Sequence, residues 1–276
     1  MRHLIRLSDW DRADVERVFA LADEYERGAG PRREGCAVMF FPPSSLRTRV
    51  SFERGAQLMG LQPIVFPTES LEKPEALADV AGYLASWADV LIVRQRMQII
   101  EELAASSPIP VVNAMTELNH PCEVIGDVYA LSRTREPQSL RFLFVGADGN
   151  IARAWQEISD VLGLHLMQCC PPELATPGLV NTEDLARAIT TADVIITDGP
   201  GPHAEALAPF RITAALLDAA PADAQFIPRP PARRRPGGHR GRVPASRLRR
   251  PRLQEDAPAG AAGGPVGVPR LMYKTD

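Results

Sequence analysis

Hydroxyl and guanidinium side chains crowd the segment 42–53, Pro-Pro-Ser-Ser-Leu-Arg-Thr-Arg-Val-Ser-Phe-Glu, where a helix is predicted to begin. Ser45 is placed to act as the N-cap of that helix. Backbone N–H groups in a first helical turn lack intrahelical partners, so those of Leu46, Arg47 and Thr48 would point at an arriving anion. The guanidinium fork of Arg47 matches phosphate oxygens. Because cations oppose the helix dipole at this end, the arginines favour an anion site over a plain capped helix.

Two other segments carry side chains suited to a polarised carbonyl group. Arg94 directly follows an apolar run at 90–93, and 119–127 reads Asn-His-Pro-Cys-Glu-Val-Ile-Gly-Asp. The proline holds His120 in an extended conformation, from which the imidazole can donate to a carbonyl oxygen. Glu123, one turn further, can accept from an amide. The alternative to a functional role is that Arg94 is a solvated surface residue and that His120 is a structural one.

A glycine-rich turn separates a strand from a helix at 144–153, Phe-Val-Gly-Ala-Asp-Gly-Asn-Ile-Ala-Arg. The spacing Gly-x-x-Gly-Asn differs from the Gly-x-Gly-x-x-Gly of dinucleotide-binding folds, so a nucleotide site is only weakly indicated. Asn150 is placed to point at a ligand from the start of the helix.

The elements that must position these residues follow from apolar periodicity. Short apolar runs without alternation recur along 1–227, and segments of helical periodicity separate them, as in parallel sheets covered on both faces. The sequence therefore predicts an α/β fold of two doubly wound domains, each with a mainly parallel sheet covered by helices. In such folds ligands bind at the carboxyl ends of strands. Predicted strands are 36–41, 63–66, 90–93, 109–113, 140–145, 164–169 and 194–197; predicted helices are 9–26, 50–59, 75–87, 121–132, 151–162 and 182–190.

Composition excludes several classes of protein. The 276 residues are 45% hydrophobic and 24% charged, with a net charge of −3, which argues against nucleic-acid binding by bulk charge. No apolar run reaches 18 residues and the first residues carry acids, so we expect no transmembrane helix and no secretory signal. Four cysteines without a Cys-x-x-Cys pair indicate neither a disulfide scaffold nor a zinc site. A cytoplasmic protein is expected.

The balance of charge changes sign near residue 228. Residues 1–227 carry 19 basic and 31 acidic side chains, whereas 228–276 carry 12 basic and 3 acidic ones. This last segment contains 11 arginines, 9 prolines and 7 glycines, without helical or strand periodicity. Two interpretations stay open: a basic disordered tail, or a shift of reading frame in a GC-rich gene. We favour the frame shift, because only 2 of the 31 basic residues are lysine.

Together these segments resemble the aspartate/ornithine carbamoyltransferase family. The segment 45–53 looks like its Ser-x-Arg-Thr-Arg carbamoyl-phosphate signature with the following Ser-Phe-Glu, and 120–123 looks like its His-Pro-x-Gln. Arg94 stands where the family has a second phosphate arginine. The turn 145–150 is similar to the one whose asparagine binds the amino-acid substrate. Because four motifs keep the family's order over 1–227, the resemblance is specific, and it is closest to the ornithine branch.

The resemblance implies transfer of the carbamoyl group of carbamoyl phosphate to an amino-acid amine, foremost ornithine, giving citrulline and phosphate. It divides the chain into a carbamoyl-phosphate-binding domain, 1–133, an incomplete amine-binding domain, 134–227, and the tail 228–276. It makes Arg94, His120 and Thr48 catalytic, as stabilisers of the oxyanion. It assigns the amine to Asn150 and Asp198, and carbamoyl phosphate to Ser45, Leu46, Arg47, Thr48, Arg94, His120 and Glu123.

The resemblance also bears on cofactors and partners. It requires no metal and no organic cofactor, because positioning and charge neutralisation supply the rate. It implies a homo-oligomer, usually a trimer with sites at subunit interfaces, and neither a nucleic-acid nor a membrane partner.

Four positions depart from the family's pattern. Leu46 replaces the commonest threonine, and Glu123 replaces glutamine, so its charge near a phosphate requires an arginine partner or a proton. After 194–197 the sequence Asp-Gly-Pro-Gly-Pro-His replaces the ornithine branch's Asp-x-x-x-Ser-Met-Gly, leaving Asp198 to hold an α-ammonium group. At 228–231 Pro-Arg-Pro-Pro replaces His-Cys-Leu-Pro, and the family's long final helix is missing.

These departures keep two alternatives open. One is a non-catalytic homologue that binds a phosphorylated ligand, which the altered loop and turn favour. The other is nucleic-acid binding through the arginine-rich tail, which is disfavoured because the tail has no aromatic residue before Tyr273.

Overall fold

The computed structural model describes residues 2–229, which form two compact units, 2–129 and 130–229. The tail predicted at 228–276 lies outside the described residues, apart from Pro228 and Arg229. The chain passes from one unit to the other within a helix, Pro121–Ser132.

The first unit alternates strands and helices. Its strands are β1 (Gly35–Phe40), β2 (Leu61–Phe66), β3 (Val90–Arg94) and β4 (Val111–Met115). Its helices are α1 (Arg12–Glu26), α2 (Leu46–Met59), α3 (Leu77–Leu84), α4 (Met97–Ser106) and α5 (Pro121–Ser132). All strand pairs are parallel, in the order β2-β1-β3-β4. The chain therefore winds outward in opposite directions from the neighbouring strands β1 and β3, which makes their carboxyl ends the switch point of the sheet.

The second unit repeats this scheme. Its strands are β5 (Arg141–Val145), β6 (His165–Cys169), β7 (Asn181–Thr182), β8 (Val194–Thr197) and β9 (Gln225–Ile227). Its helices are α6 (Asn150–Leu162), α7 (Leu185–Ile189) and α8 (Ala214–Ala219). The sheet is parallel with the order β7-β6-β5-β8-β9, so its switch point lies between β5 and β8. The predicted fold class is confirmed.

Buried apolar side chains fill both layers beside each sheet. In the first unit, residues of α3 and α4 such as Leu77, Ile100 and Leu103 join Val38 and Phe40 of β1 in one core cluster. In the second unit the fully buried Trp155 of α6 meets Phe142 of β5 with ring centroids 5.5 Å apart. Burial of one such side chain stabilises the fold by about 2–3 kcal/mol. This packing fixes the loops and helix starts that follow each strand, at the carboxyl edge of its sheet.

Several predicted boundaries were wrong. The apolar periodicity placed the start of α2 at 50, four residues late, because the first turn is polar; the N-cap position predicted for Ser45 matches the observed start at Leu46. Helix α4 was not predicted, although Met97, Ile100 and Leu103 have helical spacing. Its N-cap position is an arginine that makes no side-chain cap bond, so the usual start signal is missing. The short elements β7, α8 and β9 were also not predicted.

Three negative findings concern the described residues. None of the helices within 2–229 has the length and apolar character needed to cross a bilayer. In the same range no three His, Cys, Asp or Glu side chains converge in a way that could hold a metal ion. All four cysteines are described, and each is a free thiol.

Candidate functional site

The switch point of the first unit brings together two segments that are distant in sequence. Phe40 of β1 is paired with Val93 of β3, so the loop that follows β1 and the residue that ends β3 lie side by side. The loop leads into the first turn of α2, which begins directly after Ser45. Arg94 is the last residue of β3 and not, as predicted, the residue after the strand. The sheet topology therefore places Arg94 against the start of α2.

The Arg94 guanidinium is held by hydroxyl groups of that helix start. Its Nη1 donates to Ser45 Oγ at 3.0 Å and to Thr48 Oγ1 at 3.4 Å. Ser45 is buried and occupies the N-cap position, but its side chain caps no helix N–H group. The predicted capping role of its hydroxyl was therefore wrong: the hydroxyl accepts from the arginine and from no backbone N–H group of the helix. The bonds fix one face of the guanidinium and leave its remaining donors for a ligand.

The first turn of α2 differs in one detail from the prediction. The backbone N–H of Leu46 donates to the carbonyl of Ser44 at 3.0 Å, so the expectation that it is unpaired was wrong. The Leu46 side chain is 72% exposed, so it contributes surface and not a polar contact. With no side-chain cap from Ser45, the helix still begins as a positive dipole end. The anion site therefore depends more on side chains than the sequence suggested.

The cationic side chains at this edge act on one another. Burial first, and the charge of Arg47 second, lower the pKa of Arg94 from its ordinary value, whereas the charge of Glu123 raises it. A lowered pKa at an arginine means that its positive charge is disfavoured in this environment. A bound anion would relieve this repulsion. The neighbouring positive charges of Arg94 and Arg47 thus favour an anionic ligand at this edge.

His120 and Glu123 form a pair at the start of α5. His120 is only 6% exposed, and its Nε2 lies 2.8 Å from Glu123 Oε2, one helical turn away. Its Nδ1 is buried and has no hydrogen-bond partner within residues 2–229. The sequence left Glu123 to pair with an arginine or to take up a proton, and the structure adds a contact with a histidine that was not predicted. The effect of Glu123 on Arg94 connects this pair to the cationic cluster.

Thr116 is a positioning residue that sequence reasoning missed. Its Oγ1 accepts from the backbone N–H groups of Leu118 at 3.1 Å and Asn119 at 2.8 Å. Its own backbone N–H donates to the carbonyl of Asn119 at 2.8 Å. These bonds fix the loop that presents His120. A threonine directly after a strand is the signal that would have found it, but the predicted strand ended at 113, two residues short of Met115.

The two residues predicted to bind the amine flank the switch point of the second unit. Asn150 is the first residue of α6, and Asp198 directly follows β8. Val145 of β5 is paired with Thr197 of β8, so the segments that follow these strands start side by side. One Asp198 carboxylate oxygen accepts from the backbone N–H of Gly199 at 2.7 Å. Both side chains are half-buried, at the edge where ligands of such sheets bind.

An ion pair beside Asn150 was also missed. Arg153 donates to both carboxylate oxygens of Asp148, with Nε 2.9 Å from Oδ1 and Nη2 2.5 Å from Oδ2. The hydrogen bond to Asp148 raises the pKa of Arg153. Such a bidentate pair spans the first turn of α6 and fixes the turn from which Asn150 projects. The pair was not predicted because its two residues are five positions apart across a helix start, a spacing that matches no known motif.

The sequence of the chain matches a known domain model. Residues 2–133 match the family described as "Aspartate/ornithine carbamoyltransferase, carbamoyl-P binding domain". The chain is 32% identical over 221 residues to an ornithine carbamoyltransferase of Geobacter sulfurreducens, an alignment that covers 72% of this chain and 73% of the relative. It is 31% identical over 265 residues to one of Syntrophus aciditrophicus, covering 84% of this chain and 88% of the relative.

Solved structures give the same answer for the fold. The crystal structure of an ornithine carbamoyltransferase from Burkholderia thailandensis is similar with a TM-score of 0.75 and 25% identity, covering 85% of this chain and 87% of that chain. An ornithine carbamoyltransferase from Pyrococcus furiosus is similar with a TM-score of 0.77, covering 84% of this chain and 86% of that one. At 24% identity, the latter similarity supports the fold alone.

Proposed function

Because the chain belongs to the aspartate/ornithine carbamoyltransferase family, we propose that it transfers the carbamoyl group of carbamoyl phosphate to the side-chain amine of ornithine, giving citrulline and phosphate. One observation carries the donor half of this proposal. The Arg94 guanidinium is bonded to Ser45 and Thr48 at a helix start, with Arg47 close enough to act on its charge. The acceptor follows from the relatives, which are ornithine carbamoyltransferases.

The proposed reaction needs charge stabilisation and positioning more than covalent help from the protein. The amine nitrogen attacks the carbamoyl carbon, the bond from that carbon to the bridging oxygen breaks, and phosphate leaves with the electron pair while the nitrogen passes one proton to the leaving phosphate. Ser45 and Arg47 would hold the phosphate, with the dipole of α2 behind it. Arg94, His120 and Thr48 would stabilise the oxyanion that forms as the amine attacks. Glu123 would accept from the carbamoyl NH₂ group.

The division of labour between the units is part of the proposal. Residues 1–133 would bind carbamoyl phosphate, which the domain match at 2–133 supports. Residues 134–227 would bind ornithine through Asn150 and Asp198, which lie at the switch point of their sheet. Asp198 supplies a carboxylate for an ammonium group, and Asn150 supplies an amide.

Assembly, compartment and cofactors complete the proposal. We propose a homotrimer that works without metal or organic cofactor, because guanidinium, imidazole and hydroxyl groups suffice for the charge stabilisation described. The four free thiols support work in the reducing environment of the cytoplasm.

Arg47 and Arg49 provide a matched test of the donor site. Both are exposed on the first turns of α2, but Arg49 Nε donates to Glu53 Oε1 at 2.5 Å and is thereby held along the helix. Arg47→Ala removes charge-assisted bonds to phosphate worth about 2–3 kcal/mol, so kcat/KM for carbamoyl phosphate should fall roughly 30- to 150-fold. Arg49→Ala removes an exposed helical pair worth about 0.3–0.5 kcal/mol and should change kcat/KM less than threefold.

The assay is phosphate release that depends on both carbamoyl phosphate and ornithine, measured on the full chain. Equal losses in the two variants would contradict the placement of the anion at the Arg47 side of the helix. Binding of carbamoyl phosphate without any turnover, across a panel of amines led by ornithine, would favour the non-catalytic alternative. That alternative draws its support from the Gly-Pro-Gly-Pro stretch after Asp198.

A further inference from the structure

The departure at position 123 has consequences for how the donor is bound. A glutamine in this place would be neutral, whereas Glu123 can carry a negative charge at the edge of a cluster that receives an anion. The structure shows where that charge is directed: Glu123 Oε2 lies 2.8 Å from His120 Nε2. The inference below rests on the proposed function, since it concerns the binding of carbamoyl phosphate at this site.

The direction of this hydrogen bond follows from the chemistry of its partners. A carboxylate only accepts hydrogen bonds, so the proton between the two groups is on Nε2 of His120. The other ring nitrogen, Nδ1, is buried and makes no hydrogen bond within residues 2–229. Of the two ring nitrogens, Nε2 is therefore the one that can reach a ligand. Its single N–H cannot serve Glu123 and a substrate carbonyl oxygen equally well at the same time.

Other groups around Glu123 decide whether it can keep its charge. Arg94, at the end of β3, is close enough that Glu123 raises its pKa, and Arg47 on α2 acts on Arg94 in the opposite sense. The adjacent Cys122 is a neutral thiol, since burial raises its pKa well above the ordinary value and the charge of Glu123 adds to this. In the free protein the Arg94 guanidinium and the Nε2–H group of His120 thus favour a carboxylate at 123. A bound phosphate dianion takes over that guanidinium group and opposes the carboxylate.

We propose that Glu123 couples the binding of carbamoyl phosphate to the uptake of one proton. As a carboxylate it holds the Nε2–H of His120, and it releases this donor to the carbonyl oxygen of carbamoyl phosphate when it is protonated. The neutral carboxyl group retains a carbonyl oxygen that can accept from the carbamoyl NH₂ group. Glu123 is in this respect a positioning residue for His120, and donor affinity decreases as the pH rises.

Thermodynamic linkage gives the expected size of the effect. Where Glu123 is ionised in the free protein and protonated in the complex, the dissociation constant rises about tenfold per pH unit relative to a variant that cannot ionise. Glu123→Gln is that variant, since glutamine has the same shape as glutamic acid and its amide supplies one acceptor and one donor group without ionising. Glu101→Gln is the matched control, because Glu101 also pairs with a cation, Arg6, but on α4 away from the start of α2.

The test is calorimetric titration of the full chain with phosphonoacetamide, a stable analogue in which a methylene group replaces the oxygen that bridges the carbamoyl carbon and the phosphorus. Titrations in two buffers of different ionisation enthalpy at pH 7.5 count the protons taken up. We expect the unmodified chain and Glu101→Gln to take up about one proton more than Glu123→Gln. The proton equilibria of the ligand itself cancel in this difference. Equal proton uptake in all three chains would overturn the proposal.

Titration with inorganic phosphate distinguishes two causes of proton uptake: the transfer of the His120 hydrogen bond to the ligand, and repulsion between the ligand and Glu123. Phosphate repels Glu123 but has no carbonyl oxygen that could accept from His120. We expect the difference between the unmodified chain and Glu123→Gln to be clearly smaller with phosphate, because the repulsion by the phosphate charge remains but His120 gains no new acceptor. A difference of the same size with phosphate would assign the effect to repulsion alone and overturn the release of His120. A chain that makes citrulline but shows equal proton uptake would refute this inference and leave the proposed function intact, whereas a folded chain that binds neither ligand would refute both.

Discussion

Replacing Arg94 with alanine removes the side chain that connects the end of β3 to the first turn of α2. The structure allows the loss to be estimated in two parts. Arg94 is half-buried and already oriented by Ser45 and Thr48, so its free donors meet the reacting group without reorganisation. Loss of one preorganised oxyanion donor costs about 2.7–4 kcal/mol, or roughly 10²–10³ in kcat. Weaker binding of the phosphate charge adds to this in KM, so kcat/KM should fall about 10³-fold or more.

Two further variants distinguish orientation from charge. Arg94→Lys keeps the charge but cannot bond Ser45, Thr48 and a ligand through one planar fork, so we expect an intermediate loss. Ser45→Ala removes one bond that orients the guanidinium, worth about 1 kcal/mol, and should lower kcat roughly fivefold, while the lost contact to phosphate raises KM for carbamoyl phosphate. Steady-state kinetics with carbamoyl phosphate as the varied substrate measure all three, with circular dichroism as the check on folding. A folded Arg94→Ala chain that keeps kcat/KM within tenfold of the original would refute the reasoning.

Two predictions concern stability. Gly60 ends α2 at φ +91°, and a Cβ there would lie 2.3 Å from the carbonyl oxygen of Arg33, so Gly60→Ala should lower the free energy of unfolding by more than about 2 kcal/mol. Gly82 lies in open space within α3, so Gly82→Ala should be neutral or stabilise the fold by up to about 1 kcal/mol, and thermal melts of the two variants compare them. Burial lowers the pKa of His3 below 6.5, and its neutral Nδ1 accepts from the backbone N–H of Val111 at 3.1 Å. The unfolded chain therefore binds a proton that the folded chain resists, so the free energy of unfolding should fall as the pH drops below about 6.5, and His3→Asn should remove part of this fall; a flat profile between pH 7 and 5.5 would contradict it.

Much of the fold could be predicted because the strands in the middle of both sheets, β1 and β3 in one and β5 and β8 in the other, are buried over most of their length. Runs such as those of β3 and β8 are continuous stretches of valine, leucine and isoleucine, which leave little ambiguity. The helix α5 was predicted with its correct ends, since Pro121 starts it. Elements fixed mainly by tertiary contacts were harder to predict: β7 has two residues and β9 has three, too few for any periodicity.

The candidate site shows the same division. The residue types at 45–48, 94 and 120 could be found because their chemistry is unusual where strands end. Their contacts could not be derived from the sequence, since only the strand order places Arg94 beside Ser45. The contact between Glu123 and His120 was equally hidden: a carboxylate near arginines predicts an arginine pair, and only the loop that Thr116 fixes places His120 within 2.8 Å of it.

Transfer of the carbamoyl group can be followed with an isotope label. The full chain is incubated with ornithine and carbamoyl phosphate labelled with carbon-13 in the carbamoyl group, and the products are identified by mass spectrometry. We expect citrulline that carries the label, formed in equal amount with phosphate and nearly abolished by Arg94→Ala. A folded chain that binds phosphonoacetamide yet forms no labelled ureido product from ornithine would contradict it.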